Sequence, residues 1–284
     1  MRFPPLHLAS LACWLLLFLG GAAKEKNNST GVLEIDLVFP RNETYNPSPM
    51  MPIIFSYRNP GLVPLLKPSI AYEVWSYPNM SGPSISGGMK DPLANSSSSD
   101  PHIEFDFSVY PFNTEGTWRL VFHVRWSNCY EQPADGLHPD MDMYRINNTN
   151  IGPVVFTTKG PSKQIDLVAA TSNQTCSAPA GVAINITGTM DTPVPHGDFE
   201  GNVCPVVASP PTKASSCPIT LGTSAASSID AEMTSLVCRP WVTGRPDGVD
   251  CESRKESIAL RSVAGGATCL AFILGVLVYV HNLL

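Results

Sequence analysis

The segment from Thr117 to Trp126 places Trp118, Leu120, Phe122, Val124 and Trp126 at every second position. A period of two is that of a pleated strand and not of a helix, so it commits the segment to a sheet with one buried face. The same period recurs from Gly31 to Phe39 (Leu33, Ile35, Leu37, Phe39, with Glu34, Asp36 and Val38 opposite) and from His102 to Tyr110 (Ile103, Phe105, Phe107, Val109). Ile53 to Tyr57, Ser69 to Tyr77, Val154 to Thr158, Ile165 to Ala170 and Val182 to Thr187 read as further strands, and residues 78–101 as a long exposed loop. Such short strands, in a chain with 27 prolines and 21 glycines, predict an all-β fold. The expected architecture is a β-sandwich of immunoglobulin-like or jelly-roll type, with a barrel as the alternative. The link PFNTEG suits a hairpin that pairs Val109 with Trp118 and Phe105 with Phe122. In that register Glu104 lies opposite His123, and Asp106 is diagonal to Arg119 and His123.

After Thr187 the alternation stops. Residues 188–222 are rich in Pro, Ser, Thr and Gly and read as a linker or a loop-rich, cysteine-containing, partly disordered region. Within residues 224–238, Ala225, Ile229, Met233 and Leu236 recur at helical spacing and predict one short helix. Such a helix is marginal alone, and a disulfide from Cys238, with Cys217 as one candidate partner, would pin it.

Both ends of the chain carry an address. Arg2, the apolar core Leu8 to Leu19 and the small residues Gly21, Ala22 and Ala23 form a signal peptide over residues 1–23, so the mature chain is expected to begin at Lys24. Ser262 to Val280 is an apolar run of near-spanning length with no charge after it. That pattern over 257–284 suits a glycosylphosphatidylinositol (GPI) attachment signal, with a transmembrane anchor as the alternative. Ser257 is the favoured attachment residue, and Ser253 is second because Lys255 follows it two positions on. Between the ends lie a β domain, 24–187, and the Pro/Ser/Cys-rich region, 188–256.

Cysteines and sequons agree with export. Cys129, Cys176, Cys204, Cys217, Cys238 and Cys251 lie between the two signals and predict three disulfides of open connectivity. Asn27, Asn28, Asn42, Asn79, Asn95, Asn147, Asn173 and Asn185 each begin an N-x-S/T triplet, which predicts a glycosylated first domain. A net charge of −6 argues against a nucleic-acid partner.

Catalytic signals are weak. Glu34, Asp36, Glu104 and Asp106 are the carboxylates that a glycoside hydrolase would need in pairs, but alternation already places them on the solvated face of outer strands, beside Arg119, Arg125 and His123. His138, Asp140 and Asp142 offer metal-type ligands without the spacing of a known metal motif. A fungal copper oxygenase would need a histidine at the mature N-terminus, where Lys24 stands. There is no G-x-S-x-G, P-loop or G-x-G-x-x-G, and no cofactor is expected. Trp75, Tyr77, Trp118, Trp126 and Trp241 are candidates for stacking on sugar. Trp118 and Trp126 share the apolar side of their strand and are expected in the core. Trp75 and Tyr77 lie opposite Tyr72 and Val74 and are the best candidates for an exposed binding surface.

The stretches GVLEIDLVFPRNETYNPS, PIIFSYRNP and GTWRLVFHVRWSNC, within a span from about Gly31 to Cys251, resemble an uncharacterised family of proteins secreted by filamentous fungi, a domain of unknown function whose members often carry a GPI signal. The resemblance implies a fungal cell-surface or wall protein and brings no catalytic residue. The expectation is a non-catalytic, lipid- or membrane-anchored glycoprotein at the outer face of the plasma membrane or in the cell wall. The alternative is a module that binds wall polysaccharide and assists degrading enzymes, with a glycoside hydrolase behind it.

Overall fold

In the computed structural model, described for residues 30–90, 99–108, 111–129, 144–172, 180–191, 203–214, 219–243 and 245–251, the alternating segments form strands. They are β1 (Gly31–Phe39), β2 (Thr44–Tyr45), β3 (Met51–Arg58), β4 (Ser69–Ser76), β5 (Ile85–Lys90), β6 (His102–Ser108), β7 (Gly116–Cys129), β8 (Tyr144–Thr158), β9 (Gly181–Asp191), β10 (Val203–Val207) and β11 (Thr212–Lys213). A 3₁₀ turn (Pro60–Leu62) and three helices, α1 (Val63–Leu66), α2 (Leu167–Ser172) and α3 (Thr223–Val237), complete the described elements.

The fold is mainly β, built on one mixed sheet of order β2-β8-β7-β10-β9-β1-β3-β6, with β4 pairing both β5 and β7 and β11 pairing β9. Pairing is antiparallel except for β10 with β7 and β2 with β8. The β10–β7 link is a single bridge, Val206 to Cys129, reinforced by the Cys129–Cys204 disulfide. Strands far apart in this order share one core. Phe55 of β3 meets Phe122 of β7 at 5.0 Å, edge to face, and the Tyr72 hydroxyl of β4 donates to Asp106 of β6 at 2.8 Å. A Cβ at Gly87 of β5 would collide with the Tyr72 hydroxyl, so glycine permits this close approach.

The expected hairpin does not form. β6 pairs with β3, while β7 pairs with β4 and β8. A six-residue link does not fix register as a two-residue turn does. Here its Phe112 is fully buried and packs on Trp118 at 5.2 Å and on Phe156 at 5.6 Å, so the link passes over the core instead of reversing the chain. The expected Glu104–His123 and Asp106–Arg119 neighbours are replaced by His102–Glu104, at 3.4 Å, and Tyr72–Asp106.

β1 is an interior strand between β3 and β9 and is buried on both faces from Leu33 onward. The expectation of a solvated Glu34/Asp36 face is therefore overturned. Helix α2 lies against β1, and Leu167 and the α3 stripe Ala226, Ile229, Met233 and Val237 join the same core. The stripe is rotated from the expected one: Ala226 and Val237 are buried, with Ala225 and Leu236 beside them half-buried. Residues 165–170, expected as a strand, enter α2 instead. Asp166 caps it, its Oδ1 accepting the Ala169 N–H at 3.0 Å, an N-cap signal that the Ile165/Leu167 alternation obscured. The predicted loop at 78–101 contains β5, and the predicted linker contains β10 and β11, whose partners supply the pairing that their own short sequences do not signal.

Candidate functional site

The four candidate carboxylates do not converge. Register pairs Asp36 with Ser56, and Ser56 with Ile103, so Asp36 and Glu34 share the face of Ser56 and Ile103. Glu104 pairs with Phe55, and Phe55 with Leu37, which puts Glu104 and Asp106 on the opposite face. Directly paired residues lie on one face, so the two sets are divided by the sheet itself. A hydrolase pair drawn with one residue from each set would have to reach one sugar from both sides of the sheet.

Each set has its own local chemistry. Arg58 Nε lies 3.9 Å from both Glu34 Oε2 and Asp36 Oδ2. Asp36 is fully buried against Gly181, where no Cβ would fit, and neither of its oxygens accepts a hydrogen bond from the described residues. Burial pushes its pKa up to about 7; Arg58 opposes the rise and Glu34 adds to it. Burial also raises the Glu104 carboxyl, against the pull of His102. The Tyr57 hydroxyl, beside this pair, has no hydrogen-bond partner among the described residues, and burial raises its pKa.

The aromatics separate as their strand faces require. Trp118 and Trp126 are buried. The Trp118 indole N–H donates to Thr158 Oγ1 at 2.9 Å, and that hydroxyl donates to the Thr114 carbonyl at 2.6 Å. Trp75 is half-buried on the other face, opposite Arg119 in register, and Tyr77 is 45% exposed. Arg119 Nη1 lies 2.9 Å from Met80 Sδ, so Trp75, Tyr77, Met80 and Arg119 form one mixed apolar and cationic patch on the outer side of β4 and β7. Among the described residues Trp241 is the most exposed large apolar side chain, at 72%. It follows Cys238, which bonds Cys251 and not Cys217. The short loop after α3 thus closes on itself, because the chain past the helix returns at once to its end.

Of the sequons, Asn42, Asn79 and Asn185 have described side chains, and all three are exposed. Asn79 Oδ1 accepts from both the backbone N–H and the hydroxyl of Ser81, the third residue of its own triplet. Asn147 lies on β8, with its side chain outside the described residues. Asn27, Asn28, Asn95, Asn173, Cys176, Cys217, Ser257 and the His138/Asp140/Asp142 segment also lie outside them. Among the described residues no group of three His, Cys, Asp or Glu side chains could hold a metal, and no helix is long and apolar enough to cross a membrane.

The two disulfides among the described residues hint at an extracellular or secretory location. They use four of the six cysteines between residues 24 and 256, Cys129, Cys204, Cys238 and Cys251. Peptide mapping without reduction is expected to return Cys129–Cys204 and Cys238–Cys251 as separate linked pairs. A Cys217–Cys238 peptide would contradict the loop closure described above.

No curated protein and no solved structure matches the chain. One family model does, over residues 28–251, which is most of the chain. On that match, the chain belongs to the family described as a domain of unknown function, DUF7136.

Proposed function

We propose that the protein is a non-catalytic, exported glycoprotein held at the outer face of the plasma membrane or in the wall by a C-terminal lipid or span, with a β domain of two-layer sandwich type. The observation that carries this reading is the exposure of Asn42, Asn79 and Asn185, every sequon asparagine whose side chain is described. Asn42 and Asn79 lie in connections beside strands and Asn185 on the outward face of β9, and glycosylation requires each to be reachable. The disulfides and the apolar run Ser262 to Val280 support the same address.

The test is treatment of intact cells with phosphatidylinositol-specific phospholipase C, beside a chemical cleavage control for resistant anchors. Release of a glycosylated product lacking the C-terminal run is the expected result. Retention under both treatments with the run still present would replace the lipid with a membrane span. A product that is neither glycosylated nor membrane-associated would overturn the address.

A second reading, a polysaccharide-binding module, is favoured by one observation. Trp75, Tyr77 and Arg119 share an outward patch in which ring faces and a guanidinium are available together. On this reading, Trp75→Ala with Tyr77→Ala lowers retention on insoluble wall glucan at least tenfold, measured by co-sedimentation, while leaving the thermal midpoint near that of the parent. Unchanged retention would remove the patch from consideration.

A further inference from the structure

The Cys238–Cys251 loop holds a feature that an anchored glycoprotein does not by itself require. Trp241 presents most of its indole to solvent although it is the largest apolar side chain in the segment. Tryptophans are enriched where one end of the ring can be apolar and the other wet, as at protein interfaces and in membrane-interface belts. The Arg239 guanidinium sits 5.6 Å from the Trp241 ring centroid, and Arg245 Nη2 donates to the Arg239 carbonyl at 3.4 Å. One guanidinium thus lies against the indole, a second is tied to the backbone of Arg239, and the disulfide restrains the loop that carries them. Asp247 and Asp250 make the formal charge of the described loop neutral, so a strongly anionic partner is not demanded.

We propose that this loop rests on the lipid bilayer, with the Trp241 ring at headgroup depth and Arg239 and Arg245 directed to lipid phosphates. The proposal rests on the anchored reading above and adds to it a contact made by the folded domain. Residues 252–261 are all that separate Cys251 from the apolar run, at most about 35 Å of extended chain. Attachment of lipid at Ser257 would shorten the protein part of that tether. The loop is therefore the described element nearest in sequence to the anchor, and its Trp–Arg pairing is the side-chain chemistry of a membrane interface. A sugar-stacking role fits less well. Arg239 already lies over the indole, and no second ring packs beside Trp241 among the described residues to extend a platform.

The experiment uses the full anchored protein in phosphatidylcholine vesicles, with and without a lipid spin-labelled near its headgroup. Tryptophan quenching is compared between the parent and Trp241→Phe, a change at an exposed site. The mature chain has only Trp75, Trp118, Trp126 and Trp241, of which Trp118 and Trp126 are buried. The expected result is quenching in the parent that falls by half or more in Trp241→Phe. Arg239→Gln with Arg245→Gln is expected to reduce it without changing vesicle flotation. Flotation with equal quenching in parent and Trp241→Phe, or with none, overturns the loop contact and leaves the anchor standing. Failure to float overturns the anchor and the contact with it. A Trp241-dependent fluorescence change on adding soluble glucan fragments, without quenching by labelled lipid, assigns the loop to sugar instead.

Discussion

Asp36→Asn is expected to stabilise the protein at pH 8 by about 1–3 kcal/mol and to leave its stability at pH 4 nearly unchanged. The argument begins with the position. Asp36 is fully buried in an interior strand, and its oxygens accept no hydrogen bond from the described residues. The charged groups that face it are Arg58 from β3, at 3.9 Å, and Glu34 from its own strand; β9 contributes the backbone at Gly181. Burial outweighs Arg58, and the folded-state pKa rises from the ordinary 3.8 to about 7. Between those values the folded state holds a proton that the unfolded chain has released. Stability is then fully present below the unfolded value and falls as pH rises through the folded one, by about 1.4 kcal/mol per unit. The whole window is worth up to about 4 kcal/mol, and Asn, which never ionises, avoids it at some cost for its own unpaired amide. Urea unfolding of both proteins at half-unit steps from pH 4 to 8 measures the slope. Parallel curves would mean that Arg58 keeps Asp36 ionised throughout.

Arg41→Met is expected to destabilise by about 3–5 kcal/mol, since hydrogen bonds from charged donors contribute roughly 1.5–3 kcal/mol each and buried acceptors are left unpaired. Arg41 lies just past β1, and its guanidinium joins three stretches of chain. Nε donates to the Val38 carbonyl at 3.0 Å, Nη1 to Thr171 at 3.2 Å and Nη2 to Ile219 at 3.0 Å. Thr171 is buried and also accepts the Leu221 N–H on its hydroxyl at 3.0 Å, so the contact holds α2 and the entry to α3 against the end of β1. Methionine keeps the aliphatic stem and removes the donors. Arg41→Lys should recover less than half of the loss, because one ammonium does not reproduce a planar fork over separated carbonyls. Hydrogen exchange should show the added opening concentrated in residues 167–172 and 219–237. A loss below about 1 kcal/mol would show that water replaces the guanidinium at little cost.

How far this fold is legible from residues depends on the range of the interaction. The apolar side of β7 and the burial of Trp118 and Trp126 follow from alternation, since successive side chains of a strand point to opposite faces and the apolar set is drawn to the core. The β4 core and the α3 span follow from local periods as well. Partner choice does not. Ile103, Phe105 and Phe107 satisfy a strand against β3 as well as they would against β7, and only assembly selects β3. The short strands β2, β5, β10 and β11 have no pattern strong enough to announce themselves. They exist because β8, β4 and β9 leave edges to fill. Asp36 is the sharpest instance. A charged residue in an alternating strand reads as solvent-facing, and only the strands on both sides of β1 and the helices against it make it an interior carboxyl.

For the candidate site the division is similar. Residue types alone located the sequons and the apolar terminal run, because such patterns are read along the chain. They also separated Trp75 and Tyr77 from the core, one residue out of phase with Tyr72 and Val74. Tertiary structure decided that Glu34 and Asp36 lie across the sheet from Glu104 and Asp106, that Cys238 closes on Cys251, and that Trp241 remains in solvent. The first depends on where distant segments meet and the other two on how the chain turns after α3, and a period of two or of 3.6 carries no information about either.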